Sequence, residues 1–185
     1  MKSTRNLTMT LMLVLALAGA GIAQTTSNVL TVPLSATVAE SLTISNTGPA
    51  NVNFGTVAPG SAATSANLTF NEKWVLTVAH NTVNLYAYFA TNTNADLMHG
   101  TGSPTTTIPY SAFQATPQGG SATAFSALPA VSATAFGVQI ANHTSVSPVN
   151  MGTGTNDQFT LTLNMPATQA ADTYNGTLTV RAQTN

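Results

Sequence analysis

The sequence predicts an all-β protein: an antiparallel β-sandwich of about eight or nine short strands. Three observations carry that expectation. Apolar residues alternate with Thr, Ser and Asn at a period of two along most of the chain, which turns one side of each segment inward and the other to water. Gly, Pro, Asn and Asp interrupt the pattern at short intervals, as many-stranded sandwiches require. Helical periodicity appears only near the N-terminus, and no internal repeat points to a solenoid or propeller.

The N-terminal residues have a separate purpose. Lys2 and Arg5 precede an apolar run from Leu11 to Ala18, and Gly21 and Ala23 are small residues at the spacing of a signal-peptidase site. The run is shorter than the ~20 apolar residues of a stable membrane span. Residues 1–23 therefore read as a cleaved secretory signal peptide, and 24–185 as one domain. The expected location is secreted, extracellular or at the cell surface, with periplasmic transit in a Gram-negative host. No second long apolar run follows, so no membrane span is expected in the mature chain. There is no cysteine, which excludes a lipoprotein anchor, a disulfide scaffold and a thiolate metal site.

Charge narrows the function classes. Only 5% of residues are charged, against about 25% in ordinary globular domains. Beyond the signal peptide the only cations are Lys73 and Arg181, too few to bind nucleic acid by neutralising phosphates. Loss of Lys2 and Arg5 takes the formal net charge from −1 to −3. Such weak repulsion favours self-association, as expected of a coat, fibre or wall-associated subunit.

Taken in order, Leu30, Val32, Leu34, Ala36 and Val38 share one parity, which Leu42 and Ile44 continue. This exceeds the ~5–6 residues of a usual strand, and Pro33 lacks a ladder donor, so the segment belongs at a sheet edge or a switch between sheets. It reads either as a kinked first strand or as a first strand preceded by a segment able to add itself to a neighbour's sheet. Val52, Phe54 and Thr56 alternate around a bulge at Gly55, and Pro59-Gly60 marks a turn. A short strand covers 66–70. Residues 73–79, with Trp74, Leu76, Val78 and His80 on one face, read as a hairpin with 83–90. In the latter Val83, Leu85, Ala87 and Phe89 oppose Tyr86 and Tyr88.

Residues 91–130 are rich in Thr, Gly, Ser and Pro and read as a long loop region with one strand at 108–113. Residues 133–141 form a strand with Phe136, Val138 and Ile140 inward, and 142–155 a turn-rich connection. Finally, Phe159, Leu161 and Leu163 in one strand, and Tyr174, Leu178, Val180 and Ala182 in the next, predict a half-buried antiparallel pair.

No catalytic, cofactor or metal site is expected. His80, His99 and His143 are far apart and lack HxH or HExxH spacing. Glu40, Asp96, Asp157 and Asp172 form no local pair of the glycosidase kind, and no G-x-S-x-G elbow occurs. Residues 152–157 read as a turn before a strand, with too few oxygen ligands for a calcium loop. The aromatic residues offer a rival function, a carbohydrate- or cell-wall-binding module. Trp74 and Tyr174 sit at core positions, which leaves Tyr86 and Tyr88 as the candidate glycan-stacking pair unless they belong to a second inner face.

Three stretches, ATVAESLTI at 36–44, VNFGTVAPGS at 52–61 and PATQAADTYNGTLTVRA at 166–182, resemble bacterial exported sandwich domains of the spore coat protein U and fimbrial-subunit type. The chain departs from the coat protein pattern in having no cysteine. Tyr174, at the start of the last strand, also resembles the tyrosine corner of immunoglobulin-like sandwiches. The resemblance implies a secreted, non-enzymatic, immunoglobulin-like domain, either a self-complete sandwich or, as in some members, one that assembles with itself or with homologous subunits by donor-strand exchange. Leu30, Val32, Leu34, Ala36 and Val38 would form the donor strand, and the chain's end soon after the Tyr174 strand would leave a groove open to receive it.

Overall fold

The computed structural model describes residues 31–90, 98–101 and 106–185. The chain divides into two units, Met1–Thr37 and Val38–Asn185. In the first, residues 31–37 have no regular structure and are all exposed. The second is an all-β unit of antiparallel sheets, as the alternation predicts.

In chain order its strands begin with β1 (Ser41–Asn46), β2 (Ala62–Thr64), β3 (Leu68–Val75), β4 (Thr82–Phe89), β5 (Met98–Gly100), β6 (Thr107–Ile108) and β7 (Phe113–Pro117). They continue with β8 (Thr123–Ala124), β9 (Ser126–Ala127), β10 (Phe136–Thr144), β11 (Val149–Asn164), β12 (Tyr174–Asn175) and β13 (Thr179–Thr184). The larger sheet has the order β1-β3-β11-β7-β8, with β2 also on β11, and the facing sheet is β13-β4-β10-β9. A small third sheet is β12-β5-β6.

The core lies between the two main sheets. Leu68 and Phe70 of β3, Phe113 of β7 and Phe159, Leu161 and Leu163 of β11 meet Leu85, Ala87 and Phe89 of β4. Each is buried, and full burial of such an aliphatic or aromatic side chain stabilises the fold by about 1.5–3 kcal/mol. One side of the sandwich is closed by the chain itself. β8 belongs to the larger sheet and β9 to the facing one, and Phe125 between them packs into the core with its ring 5.4 Å from that of Phe89. On the opposite side β1 and β13 are both sheet edges.

Several pairings differ from the sequence expectation. β3 and β4 form no hairpin: they lie in opposite sheets. The segment between them crosses the end of the sandwich, where Leu76 donates to the Pro148 carbonyl and Asn81 accepts from Val146 N–H. β11 and β13 likewise do not pair, because β11 lies among β3, β7 and β2 while β13 lies on β4. Alternation identifies the inward face of a strand but not its neighbour. The expected strand at Val52–Thr56 is absent, although Val52 and Phe54 still pack on the core.

The region 91–130 is more ordered than its composition suggests. Among its described residues are five short strands, and β7 is an interior strand of the larger sheet. Residues 108–113 are not one strand, because a single 3-10 turn at Tyr110–Ala112 separates β6 from β7. The expected connection at 142–155 is mostly strand, as the end of β10 and the start of β11. The Tyr174 corner forms: its hydroxyl donates to the Ala170 carbonyl at 2.8 Å and accepts from Gln169 Nε2 at 2.6 Å.

Candidate functional site

Two places stand out, an apolar segment that precedes the sandwich in the chain and a polar cluster inside the sandwich.

The segment is 31–38. Leu30 lies outside the described residues. Val32, Leu34 and Val38 are 67%, 93% and 79% exposed, and Ala36 is exposed too. The kinked first strand foreseen over 30–44 is therefore not formed, since regular pairing starts at Ser41. Just before it, Glu40 accepts a hydrogen bond from Thr77 N–H and lies 3.1 Å from His80 Nδ1. The Thr77 hydrogen bonds, ahead of the His80 contact, hold Glu40 below the usual carboxylate range.

Among the described residues β1 pairs only with β3, and β13 only with β4. Each edge thus leaves a row of backbone donors and acceptors that a further strand can use. Beyond the end of β1 and before the start of β13 lies a groove of about 1090 Å³. Its walls are the segments 50–59 and 169–178, and its floor includes Phe89, Phe113 and Leu161.

Tyr86 and Tyr88 do not form a surface for stacking. They are 5% and 8% exposed and pack with Ala135 beneath Leu128 and Val131. The strand β4 is buried on both faces, so these rings belong to a second, smaller core. Trp74 is buried as expected, its Nε1–H donating to the Ser147 carbonyl at 2.9 Å.

The polar cluster joins three strands. Glu72 comes from β3, Asp157 from β11 and His143 from β10 in the facing sheet. His143 Nε2 is 2.7 Å from Asp157 Oδ2 and 3.9 Å from Glu72 Oε2. Glu72 is completely buried, and no N–H or cationic donor reaches either carboxylate oxygen among the described residues. A buried polar group left in this way costs about 1–3 kcal/mol, more when charged. Burial, followed by the nearby Asp157 carboxylate, pushes Glu72 up to about 8. His143 and Asp157 remain partly exposed, and His143 lines an open cleft of about 500 Å³ with Trp74, Asn150 and Thr155.

One strand irregularity turns His143 into this cluster, and a second lies beside it. In β10 the register against β4 shifts at Ile140. Before the shift Val138 lies opposite Ala87; after it His143 lies opposite Val83. A uniform alternation continued from Val138 and Ile140 would have pointed His143 outward. In β11, residues 151–154 stand opposite Lys73 alone, between the pairs Asn150–Trp74 and Thr155–Glu72. Gly154 has a φ of 74°, and a Cβ there would sit 2.5 Å from Asn71 Oδ1 and 2.7 Å from the Glu72 carbonyl.

The three histidines set apart by the sequence stay apart in these contacts. His80 meets Glu40, His99 Nδ1 meets the Gly100 carbonyl at 2.8 Å, and His143 meets the two carboxylates. Sequence reasoning missed Glu72, yet its position was readable. It shares the inward parity of Phe70 and Trp74, and Asp157 shares that of Phe159. Acidic residues on the inward faces of two strands were the signal.

Among the described residues no helix is long and apolar enough to cross a membrane. Comparison with family models, with curated proteins and with solved structures found no match.

Proposed function

We propose that the protein is a secreted, non-enzymatic structural subunit that assembles by strand addition, residues 30–38 of one copy pairing with the open β1/β13 side of the next. The observation that carries this reading is the exposure of Val32, Leu34 and Val38. Apolar side chains at alternate positions of an extended segment form one hydrophobic face, and a face of that kind gains about 1.5–3 kcal/mol per large side chain on burial. The receiving side offers unpaired edges and a groove whose floor is the sandwich core. Strand addition uses both features, with main-chain hydrogen bonds for affinity and pockets for alternate side chains.

Nine residues at ~3.3 Å each span about 30 Å, enough to run along an edge strand and into the groove. Pro33 can be placed where its missing N–H faces away from the ladder. The resemblance of 36–44, 52–61 and 166–182 to coat and fimbrial subunits supports the same reading, as does the low charge. A secreted location follows from the N-terminal signal pattern.

Light scattering tests the proposal on protein beginning at Gln24 beside protein beginning at Glu40. Multimers from the first and monomers from the second are expected. Monomers from both, at high concentration and after refolding, would overturn it.

A further inference from the structure

We propose that Glu72, His143 and Asp157 bind a divalent first-row transition-metal ion of the Zn2+ type. The proposal is independent of strand addition and rests on three observations.

First, each residue presents one ligand atom, and the three atoms lie within 4.8 Å of one another. An ion held at about 2.0–2.2 Å from each needs ligand atoms about 3.0–3.6 Å apart. The Nε2–Oδ2 distance of 2.7 Å would open slightly and the Nε2–Oε2 distance of 3.9 Å would close slightly. Both are small side-chain movements.

Second, Glu72 is fully buried and aimed into the cluster, with no N–H or cationic donor on either oxygen among the described residues and only the Asp157 carboxylate as its polar neighbour besides His143. A dication supplies what a second carboxylate cannot, a positive partner for both Glu72 and Asp157.

Third, the site has an entrance. The His143 and Asp157 side chains are 26% and 16% exposed while Glu72 forms the closed wall, so solvent reaches the cluster from the side of His143 and Asp157.

The donor set indicates the class of ion. One imidazole nitrogen with two carboxylates suits Zn2+ and its first-row neighbours. Calcium and magnesium prefer all-oxygen shells. The sequence offered no spacing motif because the ligands come from three strands in two sheets, and His143 enters the cluster through the irregularity in β10.

The experiment treats the full chain with a chelator, removes the chelator, and titrates Zn2+ alone by calorimetry, with Co2+ absorption as a second readout. One equivalent should bind, raise Tm and shift the 15N resonance of His143 Nε2. Glu72→Gln and Asp157→Asn should each weaken binding by more than the ~10–100-fold typical of losing an outer-shell partner. A His80→Ala/His99→Ala double variant should bind as the parent does. The spectroscopic shift is read on unaltered protein, so it remains decisive if a variant fails to fold. Absence of stoichiometric Zn2+ binding, an unshifted His143 resonance, or binding that survives Glu72→Gln and disappears in the His80/His99 variant would each overturn the proposal.

Discussion

Glu72 Oε2 and His143 Nε2 stand 3.9 Å apart although their strands, β3 and β10, belong to opposite sheets. The contact spans the sandwich although Ile44, opposite Glu72, and Val83, opposite His143, are aliphatic. Its cost falls on Glu72, which has no solvent contact and no N–H or cationic donor on its carboxylate among the described residues.

That cost depends on pH, and its sign follows from the direction of the shift. In metal-free protein the folded state holds the Glu72 proton up to about 8, whereas the reference value is 4.5. Between these limits the folded state binds more protons than the unfolded state. Stability therefore falls as pH rises across that window and levels off above it. Urea unfolding in the presence of a chelator should give a lower midpoint at pH 8.5 than at pH 5. Glu72→Gln removes the titrating group and should flatten this part of the profile. An unchanged slope in the variant would assign the dependence to other groups.

Gly154 holds the β11 irregularity in a conformation that L side chains rarely adopt, with φ at 74°. It also packs directly on Asn71, whose Nδ2 donates to the Thr153 carbonyl at 3.0 Å and to Asn156 Oδ1 at 2.8 Å. Gly154→Ala combines backbone strain with a side-chain clash and should destabilise the protein by about 1–3 kcal/mol. Denaturant unfolding measures this. A loss within about 0.5 kcal/mol, the range of neutral surface changes, would show that the irregularity relaxes without cost.

What could be read from the sequence separates along physical lines. Phe159, Leu161, Leu163, Val83, Leu85 and Phe89 are inward as alternation requires, because side-chain direction is a local property of an extended chain. Strand partnership is not local, and the members of the expected 73–79/83–90 hairpin and of the expected β11–β13 pair lie in opposite sheets. The polar cluster fell between these cases. Glu72 and Asp157 could be placed inward by parity, but His143 could not, because the Ile140 register shift reverses its face. Tyr86 and Tyr88 are no surface because Leu128, from the region 91–130 that reads as loop, packs over them together with Val131 and Ala135.

The burial of those tyrosines gives a direct test of the rival carbohydrate reading. Tyr86→Ala removes a ring that fills space beneath Leu128 and Val131. Truncating a buried aromatic of this size costs about 3–5 kcal/mol. The expected outcome is a lower unfolding midpoint, with no glycan retention in parent protein to be lost. A Tyr86→Ala protein of unchanged stability that loses retention shown by the parent would restore the stacking-surface reading.

Leu34→Asp distinguishes assembly from folding. Leu34 is 93% exposed and lies in the N-terminal unit, whereas the sandwich core is built within Val38–Asn185. Its replacement should leave monomer stability within about 0.5 kcal/mol of the parent, as for surface substitutions generally. In an assembled strand the same side chain would enter an apolar groove, and placing a carboxylate there without a partner costs several kcal/mol. A penalty of ~3 kcal/mol alone weakens association about 100-fold. Multimers seen by light scattering with the parent should therefore be absent from Leu34→Asp at the same concentration. The unfolding midpoint of the monomer should be unchanged. If Leu34→Asp assembles normally, the N-terminal segment is not the added strand, and association must use the β1 or β13 edges directly.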